Sequence, residues 1–145
     1  MNSIDTNLLL YALDATSPAH EESYEIYRRL YEESDAWVLA DQTLFELYRA
    51  LRNPQILERP LSYRKAVAQV EEIRSRSQAH HVAYETGLWP KVLGLLEKSA
   101  RRKGVLVCDA ILAVTLHANG VTRFYTRNTK DFEAFGLFEI EDPLE

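Results

Sequence analysis

Asp5, Asp109 and the pair Asn128 and Asp131 each stand at, or just beyond, the end of a short apolar run that gives way to a helix-like segment. The first run is Met1-Asn2-Ser3-Ile4-Asp5, ahead of Thr6-Asn7-Leu8-Leu9-Leu10-Tyr11. The second is Gly104-Val105-Leu106-Val107-Cys108-Asp109, ahead of Ala110-Ile111-Leu112-Ala113. The third is Arg123-Phe124-Tyr125-Thr126, ahead of Arg127-Asn128-Thr129-Lys130-Asp131-Phe132. In an open parallel sheet the carboxyl ends of the strands share one rim, and ligands bind in crevices there. Residues distant in sequence then meet as an acidic cluster. Crowded carboxylates repel unless they are protonated or share a cation, so the economical reading is a site for a hard divalent metal.

Each of these residues also has a plain structural use. Aspartate is a favoured helix N-cap, and Asp5 or Asp109 could simply accept backbone N–H bonds. Thr6, Asn7 and Thr126 could orient carboxylates, hold a phosphate or cap helices. Glu46 lies in Gln42-Thr43-Leu44-Phe45-Glu46-Leu47-Tyr48-Arg49-Ala50-Leu51, where Leu44, Leu47, Tyr48 and Leu51 form the core stripe. Glu46 falls off that stripe, and periodicity alone puts it on the surface. Cys108 reads as a small core residue on a buried strand. The four histidines show no metal-ligand spacing.

The elements that would position these groups alternate between strand and helix. Residues 6 to about 13 read as a helix. Ser17 is a candidate N-cap, with Pro18 in the first helical position, for a helix to about Glu33. Ala36 to Ala40 is a plausible buried strand, and Asp41 caps a helix that Asn53-Pro54 ends. Ser62 opens another helix, with Ala66, Val67, Val70 and Ile73 at helical spacing. Residues 80–84 are ambiguous. A helix from Thr86 or Gly87 to about Lys103 stops at Gly104. The acid-tipped second run, a helix to Gly120, the third run and a short helix around Asp131 to Phe135 follow. Short strands between helices argue for an α/β sheet that is mainly parallel.

At 145 residues the chain suits one domain with one core. Being 46% hydrophobic and 27% charged, it belongs among soluble globular proteins. No apolar run approaches the roughly 18 residues of a membrane span. Asp5 follows the start too closely for a secretory signal. A single cysteine excludes an internal disulfide framework and a multi-cysteine zinc site. The cytoplasm is the expected compartment. The net charge of −5 argues against coating nucleic acid by bulk electrostatics, but leaves a metal-dependent nuclease open.

Four segments in order resemble the PIN-domain ribonucleases, most closely the VapC-type toxins of prokaryotic toxin–antitoxin pairs. They are Ile4-Asp5-Thr6-Asn7, a helical Glu46 followed by Arg49-Ala50-Leu51, Asp109-Ala110-Ile111-Leu112-Ala113, and Thr126-Arg127-Asn128-Thr129-Lys130-Asp131-Phe132. The resemblance implies a three-layer α/β/α domain with a short, mainly parallel central sheet. It also implies a metal-dependent endoribonuclease that uses Mg²⁺ or Mn²⁺. By motif, Asp5, Glu46 and Asp109 match the three most regular acidic positions and would hold the metal. Asn128 stands where the pattern often has an aspartate. Either it contributes a carbonyl oxygen, or Asp131 contributes through water, or a second metal binds poorly. Thr6, Asn7, Thr126 and Asp131 would serve the substrate. The implied partners are an RNA substrate, a cognate antitoxin that occludes the groove, and a second copy in a homodimer. Two other readings stand beside this one: an inert PIN-like RNA-binding module, and a Mg²⁺-dependent phosphoacceptor signalling domain. The second would need a strand-end acceptor in mid-chain, where Leu39-Ala40-Asp41 reads as a helix cap.

Overall fold

The computed structural model describes residues 1–99 and 106–145. Its strands are each three residues long: β1 (Asn2–Ile4), β2 (Val38–Ala40), β3 (His80–Val82), β4 (Arg123–Tyr125) and β5 (Glu139–Glu141). The helices among the described residues are α1 (Thr6–Leu13), α2 (His20–Glu32), α3 (Asp41–Leu51), α4 (Tyr63–Arg76), α5 (Trp89–Lys98), α6 (Val107–Ala118) and α7 (Thr129–Glu133). Strand β4 pairs with β1 and β5, and β2 pairs with β3, all in parallel. A parallel bridge between Asn2 and Trp37 joins the two groups. There the Asn2 N–H donates to the Ala36 carbonyl at 2.8 Å, and the Ser3 hydroxyl to the Val38 carbonyl at 2.5 Å. The order across the sheet is therefore β3-β2-β1-β4-β5.

Parallel strands need crossovers, and the crossover helices cover both faces. Alternation along each strand divides the side chains between two cores. Ile4, Leu39 and Tyr125 pack with α1 to α4. Val38, Ala40 and Phe124 pack with α5, α6 and α7, where the Phe124 and Phe132 rings meet edge-on at 4.8 Å. This is the α/β architecture with a mainly parallel sheet that the resemblance implies. No described helix is long and apolar enough to cross a membrane.

Several elements differ from the sequence reading. The run expected to be a strand ending at Asp109 is helical from Val107, and residues 104 and 105 lie outside the described residues. A short apolar run cannot be told from a helix start by periodicity. Here Cys108 faces solvent and is not the core residue expected. Helix α5 ends at Lys98, and residues 100–103 of its expected continuation lie outside the described residues. Asp41 is the first residue of α3 and makes no capping bond, Ala40 holding the cap position. Helix α2 begins at His20, because Ser17 is spent in a turn: its hydroxyl accepts the Ala19 N–H and its carbonyl the His20 N–H, both at 3.1 Å. Ser62 does cap α4, accepting the Lys65 N–H. The ambiguous residues 80–84 contain the edge strand β3, and β5 was not expected at all.

Candidate functional site

Because the strands are parallel, the ends of β1, β2 and β4 open on one rim. The Asp5 N–H donates to the Tyr125 carbonyl at 2.9 Å, which sets Asp5 beside the exit of β4. Asp5 caps α1, its Oδ1 accepting the Thr6 N–H at 2.8 Å. Its other oxygen, Oδ2, accepts the Thr126 hydroxyl at 2.6 Å, from the far end of the chain. Thr126 is fully buried, and its Oγ1 also accepts the Asn128 N–H at 2.9 Å. The capping role and the cluster role thus fall on the same carboxylate.

Glu46 reaches the rim from α3. The Thr6 hydroxyl lies 3.3 Å from Glu46 Oε2 and 3.2 Å from the Thr43 carbonyl. The Gln42 amide lies 3.2 Å from Glu46 Oε1 and 2.8 Å from the Cys108 carbonyl. Periodicity was right that Glu46 leaves the core stripe, but the side it turns to faces the rim and is half-buried. Of the roles open to Thr6 and Thr126, the structure places the Thr126 hydroxyl on Asp5 and the Thr6 hydroxyl between Glu46 and the Thr43 carbonyl. Gln42 was missed. A glutamine four residues ahead of a glutamate on one helix face is a weak signal, and its bond to Cys108 depends on the tertiary fold.

Asp109 lies in the first turn of α6, next to the carbonyl that Gln42 holds. Its carboxyl is pushed up to about 6, by burial first and then by the charges of Asp5, Asp131 and Glu46. Asp5 is raised as well, chiefly by burial and further by Glu46, against the lowering effect of its bonds to Thr126 and Thr6. Asp109 therefore feels three carboxylates from other parts of the chain, and Asp5 feels Glu46. Asn128, at the start of α7, is exposed. Asn7 leaves its buried Oδ1 without a hydrogen-bond partner, a spare carbonyl acceptor two residues from Asp5.

This donor set is all oxygen, as Mg²⁺ and Mn²⁺ prefer. Among the described residues no three histidine, cysteine or acidic side chains are gathered tightly enough to enclose an ion by themselves. A zinc cage would demand that. Mg²⁺ does not, since it keeps several waters and takes one or two carboxylates together with substrate phosphates. The residues present fit such an ion.

Residues 3–136 match the profile of the PIN domain. The chain is 34% identical to ribonuclease VapC24 of Mycobacterium tuberculosis over 147 aligned positions, covering 99% of this chain and 97% of that protein. Solved structures share the fold, and two of them serve as examples. One is VapC20 of Mycobacterium tuberculosis, described as a sarcin–ricin loop cleaving toxin, with a TM-score of 0.73 at 18% identity over 97% of this chain and 99% of that one. The other is a toxin–antitoxin complex from Klebsiella pneumoniae, with a TM-score of 0.64 at 15% identity over 99% of this chain and 98% of that one.

Proposed function

The chain belongs to the PIN-domain family, among the VapC-type ribonucleases, and from that premise we propose that it is a metal-dependent endoribonuclease acting as the toxin of a toxin–antitoxin pair. The observation that carries this reading is the convergence of Asp5, Glu46 and Asp109 at the rim of a parallel sheet, where Thr6 bonds both Asp5 and Glu46, Gln42 joins Glu46 to the start of α6, and Thr126 holds Asp5. Held by Asp5 and Asp109 with Glu46 beside them, and with waters and the substrate phosphate completing its shell, a divalent ion would supply a nucleophile at neutral pH and charge neutralisation at the scissile phosphate. Asp5 is held in place for this task by the Thr126 hydroxyl and the Thr6 N–H. Glu46, fixed by Thr6 and Gln42, positions the attacking water. The exposed amide of Asn128 meets the phosphate. Lysines and arginines around the rim bind the flanking backbone, which makes affinity salt-dependent. The antitoxin offers a short helix and a basic side chain to the acidic groove, and two copies of the chain associate as a dimer.

The test is incubation of purified protein with mixed RNAs, with Mn²⁺ and with EDTA. Cleavage that EDTA stops supports the reading. RNA binding without hydrolysis at any divalent ion would favour an inert module and overturn it.

The ion should compete with protons at Asp109. A carboxylate must be ionised to accept a cation, and this one has its folded value raised from 3.8 to about 6. Apparent Mn²⁺ affinity should therefore fall as pH drops through about 6, by about tenfold per pH unit for the proton taken up at Asp109 and more steeply where Asp5 is protonated as well. The folded pKa lies above the ordinary value, so the ion-free fold carries an unfavourable charge above pH 6. That cost is relieved as pH falls from about 6 towards 4. Mn²⁺ should accordingly raise the melting temperature less at pH 5 than at pH 7.5, as thermal denaturation across this range at one Mn²⁺ concentration will show.

Gln42→Ala removes the amide that holds both Glu46 and the start of α6. Mn²⁺-dependent cleavage should fall about three- to tenfold, in line with the loss of the bond that orients Glu46, with only a small change in melting temperature from the lost bond to Cys108. Steady-state kinetics on a defined RNA checks it.

A further inference from the structure

Strand β5 and the residues after it lie beyond the segment that matches the PIN profile, which ends at residue 136. They nevertheless grip the loop that carries Thr126 and Asn128. The Thr126 N–H donates to the Glu141 carbonyl at 2.9 Å. Arg127, which stands between the two site residues, places its Nε 3.1 Å from Asp142 Oδ2. The Asp142 side chain is only 3% exposed, and its Oδ1 accepts the Leu144 N–H at 3.0 Å. A buried carboxylate is costly unless a cation pairs with it. Asp142 therefore draws the Arg127 guanidinium back towards the end of β5.

We propose that Asp142 is a positioning residue for the nuclease site, fixing through Arg127 the loop 126–128 that holds the Thr126 hydroxyl on Asp5 and presents Asn128. This rests on the nuclease reading above. It also assigns Arg127 a brace role in place of a phosphate contact, although Arg127 is basic and sits beside the groove. The coupling runs through backbone geometry. With Arg127 released, the 126–128 turn loosens, and the 2.6 Å bond from Thr126 to Asp5 is held for less of the time. Small misplacements of catalytic groups of this kind cost about ten- to a hundredfold in rate.

Asp142→Asn keeps the shape of the side chain and the acceptor for Leu144. Arg127→Gln alters a half-exposed side chain and tests the same link from the other end. Each variant should lower kcat about tenfold with KM for RNA within about twofold, and the double variant should be no worse than either, as expected for two ends of one interaction. Amide hydrogen exchange adds a readout independent of catalysis: the Thr126 and Asn128 N–H groups should exchange about tenfold faster in both variants, while α1 and α6 keep their protection. An unchanged kcat in both variants overturns the proposal whatever happens to stability. So does a rise in KM confined to Arg127→Gln, which would make Arg127 an RNA contact. If the parent protein cuts no RNA, the nuclease reading has failed. The exchange data then still decide whether Asp142 braces the loop.

Discussion

Asp5→Asn should lower metal-dependent RNA cleavage by on the order of a thousandfold or more. The substitution keeps the size and planarity of the side chain, so the neighbours need not move. One amide oxygen can still take the Thr126 hydroxyl or the Thr6 N–H. What disappears is a negative charge at the point where a divalent ion must be held. The same variant should be about as stable as the parent without metal. Asp5 is raised by burial and by Glu46, so the folded chain already disfavours its ionised form. A neutral amide relieves that repulsion. The acceptor that the amide gives up offsets this relief, so the melting temperature without metal should stay close to that of the parent, and its increase on adding Mn²⁺ should vanish. Asp109→Asn should lose cleavage to a similar degree, and the pH dependence of Mn²⁺ affinity near 6 should go with it. Full cleavage by either purified, folded variant would remove the site from these residues.

The strand-end logic found Asp5 and the 126–128 loop because β1 and β4 are short apolar runs followed at once by helix-capping chemistry. Asp109 arrives at the same rim by another route, on the first turn of α6. An apolar run that stops at a carboxylate looks the same whether it is a strand or the start of a helix, and only the neighbours decide. Glu46 shows the limit of periodicity. Its angle on α3 separates it from the core stripe but does not distinguish solvent from an acidic groove, and the family resemblance supplied the difference. Gln42 and Asp142 were out of reach for another reason. Their meaning lies in bonds to Cys108 and Arg127, on other elements, and neither residue type signals chemistry by itself. Strand β5 is legible only as the partner of β4, since Glu139-Ile140-Glu141 is too short to carry a pattern.

Thr126→Val should damage both catalysis and folding, in contrast to Asp5→Asn. Valine matches the shape of threonine but carries no hydroxyl, and the site is fully buried. Two groups lose their partner at once: Asp5 Oδ2, which accepts the hydroxyl at 2.6 Å, and the Asn128 N–H, which donates to it at 2.9 Å. A hydrogen bond to a charged group contributes about 1.5–3 kcal/mol, and the part-buried bond from the Asn128 N–H is lost with it. The fold should therefore lose about 2–3 kcal/mol, and cleavage about a hundredfold as Asp5 and Asn128 drift from register. The direction of the pH effect follows from the same bond. Thr126 is the largest influence holding the Asp5 carboxyl down against burial. Without it the Asp5 pKa rises further, and a higher pH is needed to ionise the group for metal. The acid limb of the activity profile should move to higher pH, and added Mn²⁺ should recover part of the rate at any one pH. Thr126→Ser keeps the hydroxyl and should restore the pH profile, with most of the rate. A valine variant with the parent profile and rate would show that the bond to Asp5 has no part in the chemistry, and that Asp5 is oriented by its helix cap alone.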